Sequence, residues 1–112
     1  MEEKDKELIK TIAEHYGYDS QSMQCIEECA ELIQAINKFR RSRGIGQKTN
    51  KDDHAAYMNI VEEIADVEVM IEQLIYLLKI NREAINSIKK QKLNRTICRM
   101  MSEPSIDPNM KS

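Results

Sequence analysis

The sequence predicts an all-α domain of the four-helix-bundle kind, and three observations carry that expectation. Strong helix formers (Glu, Lys, Ile, Ala, Met, Gln and Leu) dominate the 112 residues. Both prolines, Pro104 and Pro108, fall in the last nine residues, so the strongest helix breaker is missing from everything before them. Apolar residues recur at three- and four-residue spacing over long stretches, the period of a helix with one covered side.

The elements follow in order. A first helix is expected over about residues 3–15, with Leu8, Ile9, Ile12 and Ala13 on its apolar side. Tyr16-Gly17-Tyr18-Asp19-Ser20 reads as its stop, with Gly17 as the C-terminal glycine and Asp19 or Ser20 as the next N-cap. A second helix then covers about 21–41. Residues 42–50 hold two of the three glycines, Gly44 and Gly46, and make the clearest loop in the chain. Asp52 or Asp53 caps a third helix over 52–79, Asn81 marks a break, and a fourth helix runs over 82–101. This reading gives a single domain over 1–101 and a flexible tail over 102–112, where Ser, Pro, Asp and Asn leave little to bury.

Composition narrows the class. No apolar run approaches the roughly 18 residues that a membrane span needs. The opening Met-Glu-Glu-Lys-Asp-Lys lacks the apolar stretch of a signal peptide, so a cytoplasmic protein is expected. Three cysteines, an odd number, argue against a disulfide framework. Cys25 and Cys29 stand one helical turn apart but have no second pair to complete a tetrahedron, which favours small reduced core residues over zinc. The chain is short for a self-sufficient core, so a homo-oligomer, dimer or tetramer, is expected.

The formal charge of −2 is unevenly spread. Lys38 to Lys51 carries six basic residues and no acid, and Lys79 to Arg99 carries seven against Glu83 alone. The acids gather near 27–31 and 62–72. There Glu28/Glu31 and Glu63/Asp66 form two like-charged pairs, each three residues apart on one helix face. At about 100° per residue, Glu63 falls inside the apolar stripe of Ile60, Ile64, Val67, Ile71, Leu74, Ile75 and Leu78, and Asp66 at its edge. On the second helix Ile26, Cys29, Ala30, Ile33 and Ile36 make the main stripe. Glu28 and Glu31 lie across from it, beside a second strip of Cys25, Leu32, Ala35 and Phe39. A carboxylate pointing into an apolar seam must be paired, protonated or metal-bound. Basic residues are scarce on these faces, and four hard oxygen donors suit Mg²⁺, with Mn²⁺ as the alternative. A single acid pair at this spacing is usually a solvated face; two pairs on neighbouring helices, one inside the stripe, are not. A di-iron bundle needs a Glu-x-x-His motif, which neither His15 nor His54 supplies.

Glu27-Glu28-x-x-Glu31, a spacer, and Glu63-x-x-Asp66 together resemble the metal-binding signature of the all-α nucleoside triphosphate pyrophosphohydrolases, which include the MazG-like enzymes, dCTP pyrophosphatase and the dimeric dUTPases. The similarity runs from Tyr16-Gly17 to Arg99 and takes in Gln24, Glu31-Leu32 and Glu62-Glu63-Ile64-Ala65-Asp66-Val67. Lys92-x-x-Arg95-x-x-x-Arg99 resembles the phosphate-facing basic helix of many members. The 31-residue spacer between Glu31 and Glu63 is long, the extra length falling in the Gly44/Gly46 loop, where insertion costs little. The resemblance implies a MazG-type fold and hydrolysis of a nucleoside triphosphate to a monophosphate and pyrophosphate, a nucleotide-pool housecleaning reaction. It implies Glu28, Glu31, Glu63 and Asp66 as metal ligands, Glu28 also orienting the attacking water, and Lys92, Arg95 and Arg99 as phosphate contacts. Gln24, one turn before Glu28, is a candidate for hydrogen bonding to base or sugar, and Tyr16, Phe39 and Tyr57 are the rings available for stacking. The competing reading is a helical nucleic-acid-binding or oligomeric interaction protein without catalysis. Low aromatic content and acids on the long helices make nucleic acid the weaker expectation.

Overall fold

The computed structural model describes residues 1–44 and 53–104. Three helices account for most of them: α1 (Glu3–Ser42), α2 (Asp53–Leu77) and α3 (Arg82–Ser102), with no strand among the described residues. No helix there is long and apolar enough to cross a membrane. The chain divides into two compact units, Met1–Ile80 and Asn81–Ser112.

The two helices expected over 3–15 and 21–41 are one element broken at a single residue. Gly17 has φ 81° and ψ 172°, a region that only glycine occupies without strain. A Cβ placed there would meet nothing within 4 Å, so the requirement is torsional and not steric. The stop lasts one residue and the helix resumes, leaving Asp19 and Ser20 inside it; the Ser22 hydroxyl donates to the Asp19 carbonyl at 3.1 Å. At the far end, the Arg43 N–H donates to the Phe39 carbonyl at 3.1 Å and Gly44 takes φ 80°. The rest of the expected loop (45–50), the expected start of the third helix at Asp52, and most of the expected tail (105–112) lie outside the described residues.

Helix α2 ends two residues earlier than expected. Lys79 adopts φ 56°, and the Ile80 N–H reaches back to the Ile75 carbonyl at 2.9 Å, closing the helix with a residue other than the usual glycine. The break expected at Asn81 is an N-cap, its side-chain oxygen accepting from the Glu83 N–H at 2.8 Å. Helix α3 buries none of its residues.

Helices α1 and α2 form an antiparallel hairpin. Gln21 meets Gln73 and Phe39 lies beside Tyr57, so residue numbers fall along α2 as they rise along α1. Both helices present a seam at alternating four- and three-residue spacing. On α1 it is Gln21, Cys25, Glu28, Leu32, Ala35 and Phe39; on α2 it is Ala56, Ile60, Glu63, Val67, Met70, Leu74 and Leu77, all buried or half-buried. That spacing is the one that lets two helices interdigitate at a shallow crossing angle.

The covered strips differ from those expected. On α1 the strip of Cys25, Leu32, Ala35 and Phe39 is packed, while Ile26, Ile33 and Ile36 stand 65%, 61% and 43% exposed. On α2 the packed line is shifted toward Glu63 and Met70, leaving Ile64, Ile71 and Leu78 outside. The reason is that each helix carries two apolar strips and a two-helix hairpin covers only one of each. Of the two cysteines one turn apart, Cys25 alone is a core residue; Cys29 is exposed.

Candidate metal centre

The hairpin seam places a glutamate from each helix face to face. Glu28 occupies a seam position of α1 and Glu63 one of α2, where both neighbours along each seam are apolar or small: Cys25 and Leu32, Ile60 and Val67. Glu31, one turn beyond Glu28 and exposed, completes the group. One oxygen from each of Glu28, Glu31 and Glu63 lies within 4.8 Å of the others, a spacing suited to one shared cation.

Two oxygens of this trio of glutamates are stranded. Glu28 Oε2 and Glu63 Oε2 are cut off from solvent and have no hydrogen-bond partner. The other oxygen of Glu28 accepts from Gln24 Nε2 at 2.8 Å. Gln24, expected to face a base or sugar, is thus engaged in holding a carboxylate. Sequence spacing alone contained that signal, since residues four apart on a helix meet.

The electrostatics point the same way. Burial pushes the Glu63 carboxyl above its ordinary value, and the negative charges of Glu31, Asp66 and Glu28 add to the shift, as does a hydrogen bond that only protonated Glu63 can donate to Glu31. All of these causes favour the proton, and every group contributing charge is an acid. A cation in the cluster would act in the proton's place.

Asp66 stands apart from the trio. It is exposed and outside the group of oxygens within 4.8 Å, though near enough to act on Glu63. By helix geometry Glu31 lies about 80° round α1 from the seam and Asp66 about 70° round α2, and antiparallel pairing turns both to the same side of the hairpin. The cluster therefore opens on that side, with Glu28 and Glu63 at its floor.

Lys92, Arg95 and Arg99 belong to α3, in the other unit, and all three are exposed. Lys92 and Arg95, with Ile88 and Gln91, line a shallow concavity of about 240 Å³ on that helix. Of the rings expected for stacking, Tyr16 and Tyr57 are exposed; Phe39, near the C-terminus of α1, and Tyr57, near the N-terminus of α2, lie 6.5 Å apart. Compared with known families, curated proteins and solved structures, the chain matches none.

Proposed function

We propose that the Glu28/Glu31/Glu63 cluster binds a divalent cation, Mg²⁺ or Mn²⁺, and that the protein is a nucleoside triphosphate pyrophosphohydrolase. One observation carries the metal reading: an oxygen from each of three glutamates converges with the others, and two of those glutamates, Glu28 and Glu63, also hold a buried oxygen without a partner. Stranding buried polar atoms costs free energy unless a ligand satisfies them. Hard carboxylate oxygens and the lack of nitrogen or sulfur donors in the group favour Mg²⁺ or Mn²⁺ over zinc or copper.

The step from metal to pyrophosphohydrolase rests on the resemblance of the Glu28-x-x-Glu31 and Glu63-x-x-Asp66 signatures. A bound cation supplies charge for phosphate oxygens and acidity for a coordinated water. The chain's own part is to hold that charge in place: Glu28 and Glu63 from the seam floor, Glu31 and Asp66 from the open side, Gln24 fixing the Glu28 carboxylate. Glu28 is also the residue assigned to orient the attacking water. Lys92, Arg95 and Arg99 are assigned to the phosphates, where positive charge offsets that of the departing pyrophosphate. The reading includes a cytoplasmic setting, a MazG-type four-helix bundle and a homodimer or homotetramer as the working form.

The test is a screen of purified protein against common and modified nucleoside triphosphates with Mg²⁺ or Mn²⁺, following pyrophosphate release. Turnover that needs the metal and disappears in Glu63→Gln is the expected result; metal-independent turnover, or none with any triphosphate, would remove the enzymatic reading. A second reading, nucleic-acid binding without catalysis, is favoured by the exposed basic side chains of α3. It predicts binding that weakens steeply with salt and is indifferent to Mg²⁺.

A further inference from the structure

Packing accounts for one of the two cysteines that stand a turn apart on α1 and leaves the other unexplained. Cys25 is 8% exposed and belongs to the hairpin core, whereas Cys29 is exposed. Both line one groove of about 560 Å³ on the hairpin. The rest of its lining is Tyr18, Ser22, Ile26, Ala30 and Ile33 of α1 and Leu74 of α2, with no charged side chain and no imidazole. The two thiols are close enough that Cys29 adds to burial in pushing the Cys25 thiol up. Helix α1 leaves helical geometry only at Gly17, so the pair sits on regular helix.

Spacing decides what such a pair can hold. Residues four apart on a helix keep their Cβ atoms about 5–6 Å from each other, whereas a disulfide needs about 3.5–4.5 Å. An S–S bond would therefore deform the helix. An ion seated between the sulfurs, with metal–sulfur bonds of about 2.3 Å, spans up to about 4.6 Å and suits the wider spacing. Zinc fails on the number of ligands, since it takes four. Among the described residues, the group of three or more His, Cys, Asp or Glu side chains close enough to share an ion is the glutamate trio, which includes neither cysteine. A soft monovalent ion needs only two ligands, and thiolates select Cu(I). The Tyr18 and Ser22 hydroxyls are hard donors and do not compete for it.

We infer that Cys25 and Cys29 form a two-thiolate site for Cu(I) on the floor and rim of this groove. Each thiol releases its proton as its Cu–S bond forms, leaving a complex with one net negative charge; the copper stays Cu(I) and no electron is exchanged. Cys29, exposed, meets the incoming ion, and Cys25 holds it on the core side. The apolar walls at Ile26, Ile33 and Leu74 limit access of water and of hard ligands. The site uses none of the acids of the proposed function, so its test leaves turnover aside.

Full-length protein is titrated with Cu(I) under exclusion of oxygen, in competition with a chromogenic Cu(I) chelator, and followed by near-ultraviolet thiolate-to-copper absorption and native mass. Cys98, exposed on α3, is the other thiol, so Cys98→Ser serves as the reference protein. The expected result is one Cu(I) per 13.1 kDa chain in that reference. Adding Cys29→Ser should weaken binding by at least about 100-fold, because the second thiolate of one helix turn acts at a high effective concentration. Cys25→Ala should weaken it as much; if that variant does not fold, the exposed Cys29 decides alone. Excess Zn²⁺ should not displace the copper. Equal affinity with and without Cys29 overturns the site, as does uptake that vanishes with Cys98→Ser alone. A doubling of mass that appears only with copper and needs Cys29 also overturns it, since the ion would then bridge two chains. Displacement by Zn²⁺ overturns the soft, two-ligand assignment.

Discussion

Two polar pairs are covered between α1 and α2, and they are handled in opposite ways. Toward the Gly17 end, Gln21 Nε2 donates to Gln73 Oε1 at 2.7 Å, Gln73 Nε2 reaches Met70 Sδ at 3.6 Å, and Gln21 Oε1 accepts from Ser20 Oγ at 3.2 Å. Both glutamines are buried, and the chain itself supplies partners for each. Farther along, Glu28 and Glu63 meet with two oxygens unpartnered and a third acid, Glu31, alongside. A buried polar pair that closes on itself fixes helix register, because any slip would strand its members. One left open marks a place where something from outside the chain completes the structure.

The largest expected effect breaks the open pair. Glu63→Gln removes one negative charge from the cluster and gives its neighbour Glu31 a neutral donor. Pyrophosphate release should fall by at least about 100-fold, the loss expected when a metal ligand is removed. The rise in melting temperature that Mg²⁺ produces in the wild type should be lost as well, since a ligand stabilises only the fold it binds. Helix content by circular dichroism should not change. A variant that keeps both turnover and the metal-dependent shift would show that the stranded oxygens hold nothing.

Next comes the closed pair. Gln73→Leu leaves Gln21 Nε2 buried without its acceptor and should cost about 1–3 kcal/mol in urea unfolding. The double variant Gln21→Leu/Gln73→Leu should recover most of that, because two apolar groups facing each other leave nothing unsatisfied. Neither change should alter the Mg²⁺-induced shift. If the double variant were as unstable as the single one, the glutamines would contribute more than each other's hydrogen bond.

How much of this contrast the sequence disclosed depends on which helix is considered. On α2 the placement of Glu63 among apolar residues was legible, since Ile60, Val67 and Leu74 fix the face directly. On α1 two apolar strips compete, and Ile26, Ile33 and Ile36 are individually more hydrophobic than Cys25, Ala35 and Leu32 taken together with Gln21 and Glu28. Periodicity ranks strips by hydrophobicity, whereas the hairpin paired the strip that lets α2 interdigitate. The closed pair went unseen for the same reason: a glutamine in a seam looks like a glutamine on a surface until its partner, 52 positions away, is placed. The Gly17 break was legible as a break, but nothing local distinguishes a one-residue kink from a full stop. Asn81 was legible because a cap is a local interaction.

A smaller effect separates the pairs by pH. In the folded, metal-free protein Glu63 holds its proton to a pH above its unfolded value of 4.5, so folding takes up a proton between those limits. Stability from this group is greatest below the unfolded value and is lost as pH rises through the folded one, opposite to an ion-paired carboxylate. Metal-free wild type should therefore lose stability relative to Glu63→Gln as pH rises above 4.5 and through the raised folded-state value. Saturating Mg²⁺ should flatten the difference, because the cation replaces the proton. The glutamine pair, having no titrating group, should contribute nothing, so Gln73→Leu should follow the wild-type profile displaced downward.

The smallest effect tests whether the open pair is held ready for its ligand. Gln24 is exposed, and its bond to Glu28 Oε1 spans one turn of a single helix, so its worth to stability is a few tenths of a kcal/mol. Its worth to the site is larger if it fixes which Glu28 oxygen faces Glu63. Gln24→Met keeps the length of the side chain and removes the donor; Mg²⁺ affinity by calorimetry should weaken by about 10-fold, the lower end of what losing an orienting partner of a metal ligand costs. Melting temperature without metal should stay within error of the wild type. Equal affinity would mean that Glu28 finds its orientation from the seam alone, through Cys25 and Leu32 on either side. Weaker affinity at unchanged stability would put Gln24 with the acids and not with the fold, extending the open site one turn toward the closed pair.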